Sequence, residues 1–381
     1  MLTARSRRAV AMLLSVLTVI MTLTACGSKS KEQVYHIIQD SKYDVVFLDI
    51  SIDDFIASGF HFGDSCDITF SNGLTLEDIP FFSGYYVRTS KPLIVGYPGY
   101  EYIAVTRNNQ GLWTDAGLTE SDTAVVTVHE ADKYLNEQEA LSQSYSNDKA
   151  DYQDDIQFSN FRALSGGNLK DSFLYRGASP VDNQKNRAAG VNALLEENGI
   201  RFILDLADSE EEYLGYRDAA DFSSFYAAGL YDAGNTALLG MSSSYESDTY
   251  KQKLASGLQK MLTAEGPIYI HCLEGKDRTG FVCVLLEALA GADYAEMQSD
   301  YMKTYENYYG ITKSGTPDKY DAVVSLYFDA FAAYLHGTED VEVLASADYT
   351  QDAVNYLLDA GMTMDEITAL RNMITKDSNE A

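Results

Sequence analysis

IYIHCLEGKDRTGFVCVLLEAL, residues 268–289, changes character twice along its length. Ile268 to Ile270 read as the end of a buried strand. His271 and Cys272 follow, then a tight, mostly polar loop, Arg278 and Thr279, and an apolar run that reads as a helix. A strand that feeds through a loop straight into a helix presents backbone N–H groups at the helix N-terminus, where the dipole favours an anion. Cys272 stands at that mouth. A cysteine so placed, near Lys or Arg, can have its pKa drawn from about 8.5 to roughly 3.5–7.5. It is then a thiolate at neutral pH and a competent nucleophile. Arg278 is spaced to fold back over the loop and grip two oxygens of one phosphate. Nucleophile, amide cradle and guanidinium clamp together describe phosphate-monoester chemistry through a cysteinyl-phosphate.

HCLEGKDRTG, residues 271–280, resembles the signature loop of the cysteine-based protein tyrosine phosphatases. More narrowly, Gly275-Lys276-Asp277-Arg278-Thr279-Gly280 is similar to the bacterial tyrosine and lipid phosphatase branch, whose loop carries both Lys and Asp. At residue frequencies of about 5 %, six fixed positions coincide by accident roughly once in 10⁷–10⁸ placements, which sets the loop apart from an ordinary turn. Asn160-Phe161-Arg162-Ala163-Leu164-Ser165-Gly166-Gly167, followed by Leu174-Tyr175-Arg176-Gly177-Ala178, resembles the family's opening motif. It departs from that motif at Ala163, where an acid is usual, and by the extra Ser165. The run from Asp300 to Tyr309 resembles a further segment. The resemblance covers about Asn160 to Ile374 and implies an α/β phosphatase domain, a parallel-type central sheet flanked by helices.

Carried onto these residues, the resemblance implies Cys272 as nucleophile and a phosphate cradle of amides running from Leu273 through Glu274, Gly275 and Lys276 to the Arg278 guanidinium. Thr279 would hydrogen-bond the thiolate and ease its departure, Gly280 completes the motif, and His271 would orient the loop. Three carboxylates compete as proton donor to the leaving oxygen. Asp277 is the acid that the Lys-Asp branch implies. Asp232 lies forty residues before Cys272, where many members of the superfamily carry theirs on a mobile loop. Asp205 ends the strand IRFILDL, where parallel sheets collect ligands, although capping the next helix is an equal reading. Asp277 is the choice made here, as acid in the first step and base in the second. Lys276 either meets a second phosphate, as on a phosphoinositide head group, helps bind phosphotyrosine, or is a solvated charge. Arg162 and Arg176 are read either at the pocket rim or in surface salt bridges, and the tyrosines and methionines from Tyr294 to Tyr305 as a core-facing stripe, with a wall of the pocket as the alternative for exposed tyrosines. Five scattered His and no repeated Cys/His spacing leave no metal site, and the chemistry calls for no cofactor.

Arg5, Arg7 and Arg8 precede an apolar run from Ala9 to Leu23, and Thr24-Ala25-Cys26 follows. This has the form of a secretory signal, and the run is shorter than the ~20 residues a spanning helix needs. Leu23 to Cys26 resembles the bacterial lipoprotein box. The expectation is a signal peptide over 1–25, diacylglycerol on Cys26, a tether over 26–37 and a lipid anchor on the extracytoplasmic face of a bacterial cell membrane. An uncleaved anchor is the alternative. Cys283 reads as a small buried hydrophobe, and a Cys66–Cys283 disulfide, though that compartment permits one, is not expected. Removing residues 1–25 takes three of the 28 basic residues and none of the 57 acidic ones, so the net charge moves from −29 to −32. So acidic a chain repels nucleic acid and anionic bilayers at long range, and a polyanionic substrate needs a local positive site.

Residues 38–132 carry short β-branched or aromatic runs at Lys42–Ile50, Asp67–Phe70, Tyr85–Arg88, Pro92–Val95, Tyr102–Thr106 and Ala124–His129. Turns stand between them at Ser71-Asn72-Gly73, Pro98-Gly99 and Asn108 to Gly111. The pattern predicts a small β-barrel or sandwich with Trp113 in its core and no catalytic constellation. Residues 133–157 read as a short helix and polar linker, and 158–378 as the catalytic domain. Within the latter, Val191–Glu197 reads as a helix, Ile200–Leu206 as a strand buried on both faces, Tyr226–Thr236 as a weaker strand and loop, and Tyr250–Leu262 as an amphipathic helix. Three functions fit. The first is a phosphatase of phosphotyrosine, phosphoserine/threonine or phosphoinositide. A phytase-like enzyme would show a broader Lys/Arg lining. A non-catalytic phosphate-binding surface lipoprotein would have no need of Cys272, Asp277 and Arg278 intact.

Overall fold

The computed structural model describes residues 33–40 and 42–376. The expected signal peptide and Cys26 lie outside the described residues, and no described helix is long and apolar enough to cross a membrane. The chain divides into two compact units, one built on the N-terminal strands and ending at Tyr134, the other resuming at Leu135.

Seven strands close the first unit into a barrel: β1 (Gln33–Asp40), β2 (Val45–Ser51), β3 (Ser65–Phe70), β4 (Thr75–Phe82), β5 (Pro92–Val95), β6 (Tyr102–Arg107) and β7 (Thr123–Glu130). Around the barrel the order is β1-β2-β6-β5-β4-β3-β7, antiparallel except where β4 runs alongside β5. Closure leaves no open sheet edge. Alternate residues point inward: Cys66, Ile68 and Phe70 of β3 are buried and pack with Phe55, Phe81 and Trp113. Two expectations need correcting. β1 starts inside the stretch read as tether, since Tyr35 and Ile37 alternate with exposed neighbours as an inward face should. β4 went unforeseen and Tyr85–Arg88 is no strand. Pro80 and the left-handed Asp78 (φ +54°) break the strand pattern of β4, and the register of its pairing with β3 shifts there.

The second unit holds a five-stranded sheet: β8 (Arg162–Ala163), β9 (Leu174–Gly177), β10 (Phe202–Asp205), β11 (Thr236–Leu238) and β12 (Ile268–His271), in the order β11-β10-β12-β9-β8. Four strands are parallel and β8 is antiparallel to β9. The period of two along each strand sorts side chains between two cores. Phe202, Leu204, Ile268 and Ile270 meet Leu254, Leu258 and Met261 from helix Asp248–Met261 and the apolar face of helix Asp277–Leu289. Ile203 and Tyr269, pointing the other way, meet Val191 and Leu195 of helix Ala188–Glu197. Tyr226–Thr236 is helix Phe225–Asp232 followed by β11, because Ala227 and Ala228 are good helix formers and pack as a buried face. The expected linker is also structured, with helix Leu135–Leu141 at its start. Arg187 pins its middle, donating to the Ser146 carbonyl at 3.0 Å and to Asn147 Oδ1 at 2.9 Å. Cys66 and Cys283 are buried free thiols.

Candidate active site

His271, the last residue of β12, lies level with Asp205 of β10 on one side and Gly177 of β9 on the other. The carboxyl ends of three adjacent parallel strands therefore converge on the loop that follows, where Brändén's rule places ligands. Cys272 is 4 % exposed at the start of that loop. Helix Asp277–Leu289 begins at its end, with no side chain capping the first turn, so the first amides of the helix are unclaimed by a cap. Gly275 sits at φ +67°, and a Cβ there would fall 2.3 Å from the Gly177 carbonyl oxygen. Only glycine fits.

The loop carbonyls are all engaged from outside. The Ser179 amide donates to Leu273 O at 3.1 Å, and the Tyr308 hydroxyl to Glu274 O at 2.8 Å. Arg176 Nη2 donates to Gly275 O at 2.8 Å, and Asn160 Nδ2 reaches both Glu274 O (3.4 Å) and Gly275 O (3.3 Å). His271 Nδ1 donates to Cys272 O at 3.2 Å. Among the described residues, the amides of Leu273, Glu274, Gly275 and Lys276 donate to no backbone or side-chain acceptor. With carbonyls tied outward and amides unclaimed, the loop is a concave row of donors suited to an oxyanion.

Behind the loop is a buried ionic cluster. Asp300 receives Arg176 Nη1 at 2.5 Å and Arg162 Nε at 2.6 Å. Burial alone would raise the Asp300 carboxyl, but the two guanidinium groups outweigh it and hold it below the ordinary range. Arg162 and Arg176 are therefore neither rim residues nor surface salt bridges. They brace the loop from within. Asn160 belongs to the same brace, and the sequence reading assigned it no such role. Its left-handed backbone (φ +52°), which Asn tolerates better than most residues, aims the side chain at two loop carbonyls.

Arg278 Nη1 donates to the Met241 carbonyl at 2.9 Å, in the segment after β11. Thr279 is wholly buried and its hydroxyl has no partner among the described residues. His271 lies 3.7 Å through Nε2 from Asp205 Oδ2. Desolvation pushes its imidazole down to about 4, so it is neutral near pH 7. Asp205 takes the amides of Ala207 and Asp208 on one oxygen, at 2.9 and 3.1 Å, and thus caps the turn after β10 as well as facing His271. Burial raises Asp205 to about 6, against those amides. Asp208, which the sequence reading did not single out, is raised to about 8 by burial and then by the nearby Asp205.

Asp277 keeps 53 % of its side chain exposed, yet surrounding protein desolvates the carboxyl enough to raise its pKa, with Lys276 opposing. The side chain is half exposed by area, while the protein packed around it supplies the desolvation. Asp232 is elsewhere. It ends helix Phe225–Asp232 in a two-pronged surface pair with Arg217 at 2.6 and 2.7 Å, and that bond lowers its carboxyl below the ordinary range. In this structure Asp232 thus serves a surface ion pair. Lys276 is no simple solvated charge, for its ammonium lies 3.4 Å from the Tyr309 hydroxyl, 3.8 Å from Glu274 and 3.9 Å from Asp277. Burial would lower its pKa, but Asp277, Tyr309 and Glu274 together raise it well above the usual value. Glu274 in turn accepts from Tyr145, a residue of the supposed linker, and meets Lys185 at 3.7 Å.

Comparison with known proteins gives two findings. The profile described as the tyrosine phosphatase family matches residues 157–376. The triple specificity protein phosphatase PtpB of Mycobacterium tuberculosis is 29 % identical over 119 residues, covering 27 % of this chain and 41 % of that protein. The match thus spans less than half the length of that relative.

Proposed function

The chain belongs to the tyrosine phosphatase family, and from that premise we propose that it hydrolyses phosphate monoesters through a phosphorus–sulfur bond formed on Cys272. The Cys272 sulfur attacks phosphorus in line, the bond from phosphorus to the ester oxygen breaks, and Asp277 gives its proton to that departing oxygen. Water then attacks phosphorus and loses a proton to Asp277. The sulfur–phosphorus bond breaks, inorganic phosphate leaves, and both side chains return to their starting states. The amides of Leu273 to Lys276 and the Arg278 guanidinium stabilise the charge on the transferring oxygens. The Thr279 hydroxyl donates to the sulfur as it departs. His271, neutral and bonded to the Cys272 carbonyl, fixes the loop without adding charge.

Protein phosphotyrosine is the proposed main substrate, with phosphoserine, phosphothreonine and phosphoinositides within reach. The triple specificity in the relative's name supports breadth. A lipid anchor on Cys26, and with it an extracytoplasmic location, is part of the proposal on sequence grounds alone.

The observation that carries the reading is the loop whose carbonyls are tied outward while its amides remain unclaimed next to a single cysteine. The test is Cys272→Ser. Turnover of a phosphotyrosine peptide should fall by about 10³-fold or more, and acid-quenched wild type should carry one phosphoryl group on the peptide containing Cys272. Undiminished turnover by the serine variant would overturn the mechanism. A phosphate-release panel of phosphotyrosine and phosphoserine peptides, a phosphoinositide and phytate ranks the substrates.

A further inference from the structure

The barrel unit has a built cleft that phosphate chemistry does not use. It measures about 690 Å³, and Tyr43, Tyr85, Tyr100, Lys42, Arg107 and the turn 108–111 contribute to its walls. That volume is in the range of small-ligand sites, roughly 300–1,000 Å³. The barrel already buries its own apolar core, and these tyrosines are outside it. Tyr43 is 59 % exposed and Tyr97, in ring contact with the lining residues Tyr85 and Tyr100, 44 %. Tyr85, Tyr97 and Tyr100 form a continuous aromatic face: Tyr97 lies 5.7 Å from Tyr85 and 5.4 Å from Tyr100, and the Tyr85 and Tyr100 hydroxyls are 2.8 Å apart.

The turn in the same lining carries amide side chains, Asn109 and Gln110, both exposed. Its backbone is fixed, because a Cβ on Gly111 (φ +74°) would fall 2.7 Å from Asp44, and Leu112 and Trp113 both donate their amides to the Asp44 carbonyl. Asp44, the carboxylate among the lining residues, has its oxygens engaged by Thr114 at 2.6–3.2 Å. Two cations remain. Lys42 lies 4.5 Å over the Tyr43 ring, and among the described residues Arg107 has a long 3.7 Å ion-pair contact with Asp115. Flat tyrosine faces suit the C–H face of a pyranose, amides suit its vicinal hydroxyls, and a guanidinium suits a carboxylate. We propose that this cleft binds an anionic saccharide, a pyranose chain bearing carboxylates, independently of the phosphatase site.

The test titrates the full chain with trimers of galacturonate, glucuronate and mannuronate, followed by calorimetry and tyrosine fluorescence. Maltotriose serves as the neutral control and inositol hexakisphosphate as the polyol phosphate control. At least one uronate trimer should bind saturably and more tightly than either control. Tyr43→Ala and Arg107→Gln should each weaken it about tenfold or more, which is roughly 1.4 kcal/mol, with circular dichroism and p-nitrophenyl phosphate hydrolysis unchanged. Absence of saturable binding by all three trimers overturns the proposal, as does binding that survives both substitutions. Equal or tighter binding of maltotriose overturns the role given to the cations, and tighter binding of inositol hexakisphosphate overturns the saccharide.

Discussion

Asp277 has two opposed duties, to hold a proton when the ester oxygen departs and to have lost it when water attacks. Its environment favours the first, since desolvation raises the carboxyl, while Lys276 at 3.9 Å limits the rise. Asp277→Asn should therefore slow hydrolysis of an alkyl phosphate or phosphotyrosine about 10²–10³-fold. The loss should be much smaller for p-nitrophenyl phosphate, whose leaving group needs no proton. Asp232→Asn, which only unpairs Arg217 at the surface, should change either rate less than twofold. Steady-state rates on the two substrates check both statements, and the reverse ranking would move the acid to another residue. Asp208 gives a second test through pH. Its proton is held up to about 8 in the folded state against an ordinary value of 3.8, so between these values the folded chain binds more protons than the unfolded one. Stability then falls as pH rises, by about 1.4 kcal/mol per unit for one such group. His271 acts oppositely, held at about 4 against 6.5, so its contribution rises with pH over that interval and offsets Asp208 there. Above 6.5 the Asp208 slope runs without the His271 offset, up to about 8. Thermal melts of the wild type should decline between these pH values, and those of Asp208→Asn should decline less steeply.

Between strand β9 and the loop, one side chain supports two structures at once. Arg176, wholly buried, donates to the Gly275 carbonyl and to Asp300. Arg176→Met keeps the volume but strips the loop of one brace and leaves Asp300 to Arg162 alone. Breaking a buried pair in this way costs about 3–5 kcal/mol, to be read as a lower urea midpoint accompanied by lost phosphatase activity. Arg217→Met, at the exposed pair, should leave the midpoint within error. These partners explain what was legible in the sequence. The loop, its strand and its helix were readable because their residues are contiguous and each demand is local: an apolar run, a glycine with a left-handed backbone, an amide-rich turn. The brace was not. Arg176 and Asp300 are far apart in sequence, and an arginine in a strand looks the same whether it faces solvent or a buried carboxylate. The segment 133–157 was legible as far as its short helix, Leu135–Leu141, but the order beyond it comes from partners elsewhere: Arg187 holds Ser146 and Asn147, and Tyr145 meets Glu274 and stacks on Tyr308. In the barrel, β1 was passed over because Tyr35 and Ile37, its two buried residues, stand among polar neighbours in a stretch read as tether, and β4 was hidden by Pro80 and Asp78.

At the scale of the whole chain, the net charge of −29 sets the terms on which an anionic substrate arrives. The positive groups at the loop are few, and Lys276 and Lys185 each have Glu274 within 4 Å, which shortens the reach of their field. Approach is therefore governed by repulsion from the surrounding acidic surface, and capture by the amides and Arg278 at contact. Salt screens the first far more than the second, because the Debye length falls to about 10 Å at 0.1 M while the cradle acts over one hydrogen bond. The kcat/KM for an acidic phosphopeptide should rise about two- to fivefold as ionic strength goes from about 20 to about 200 mM. With p-nitrophenyl phosphate, which carries less charge, the rise should be smaller, and kcat should hold for both. Stopped-flow or initial-rate measurements across that range decide the matter. A fall in kcat/KM with salt would mean that attraction outweighs repulsion along the approach, and that basic residues beyond those at the loop mouth steer the substrate in.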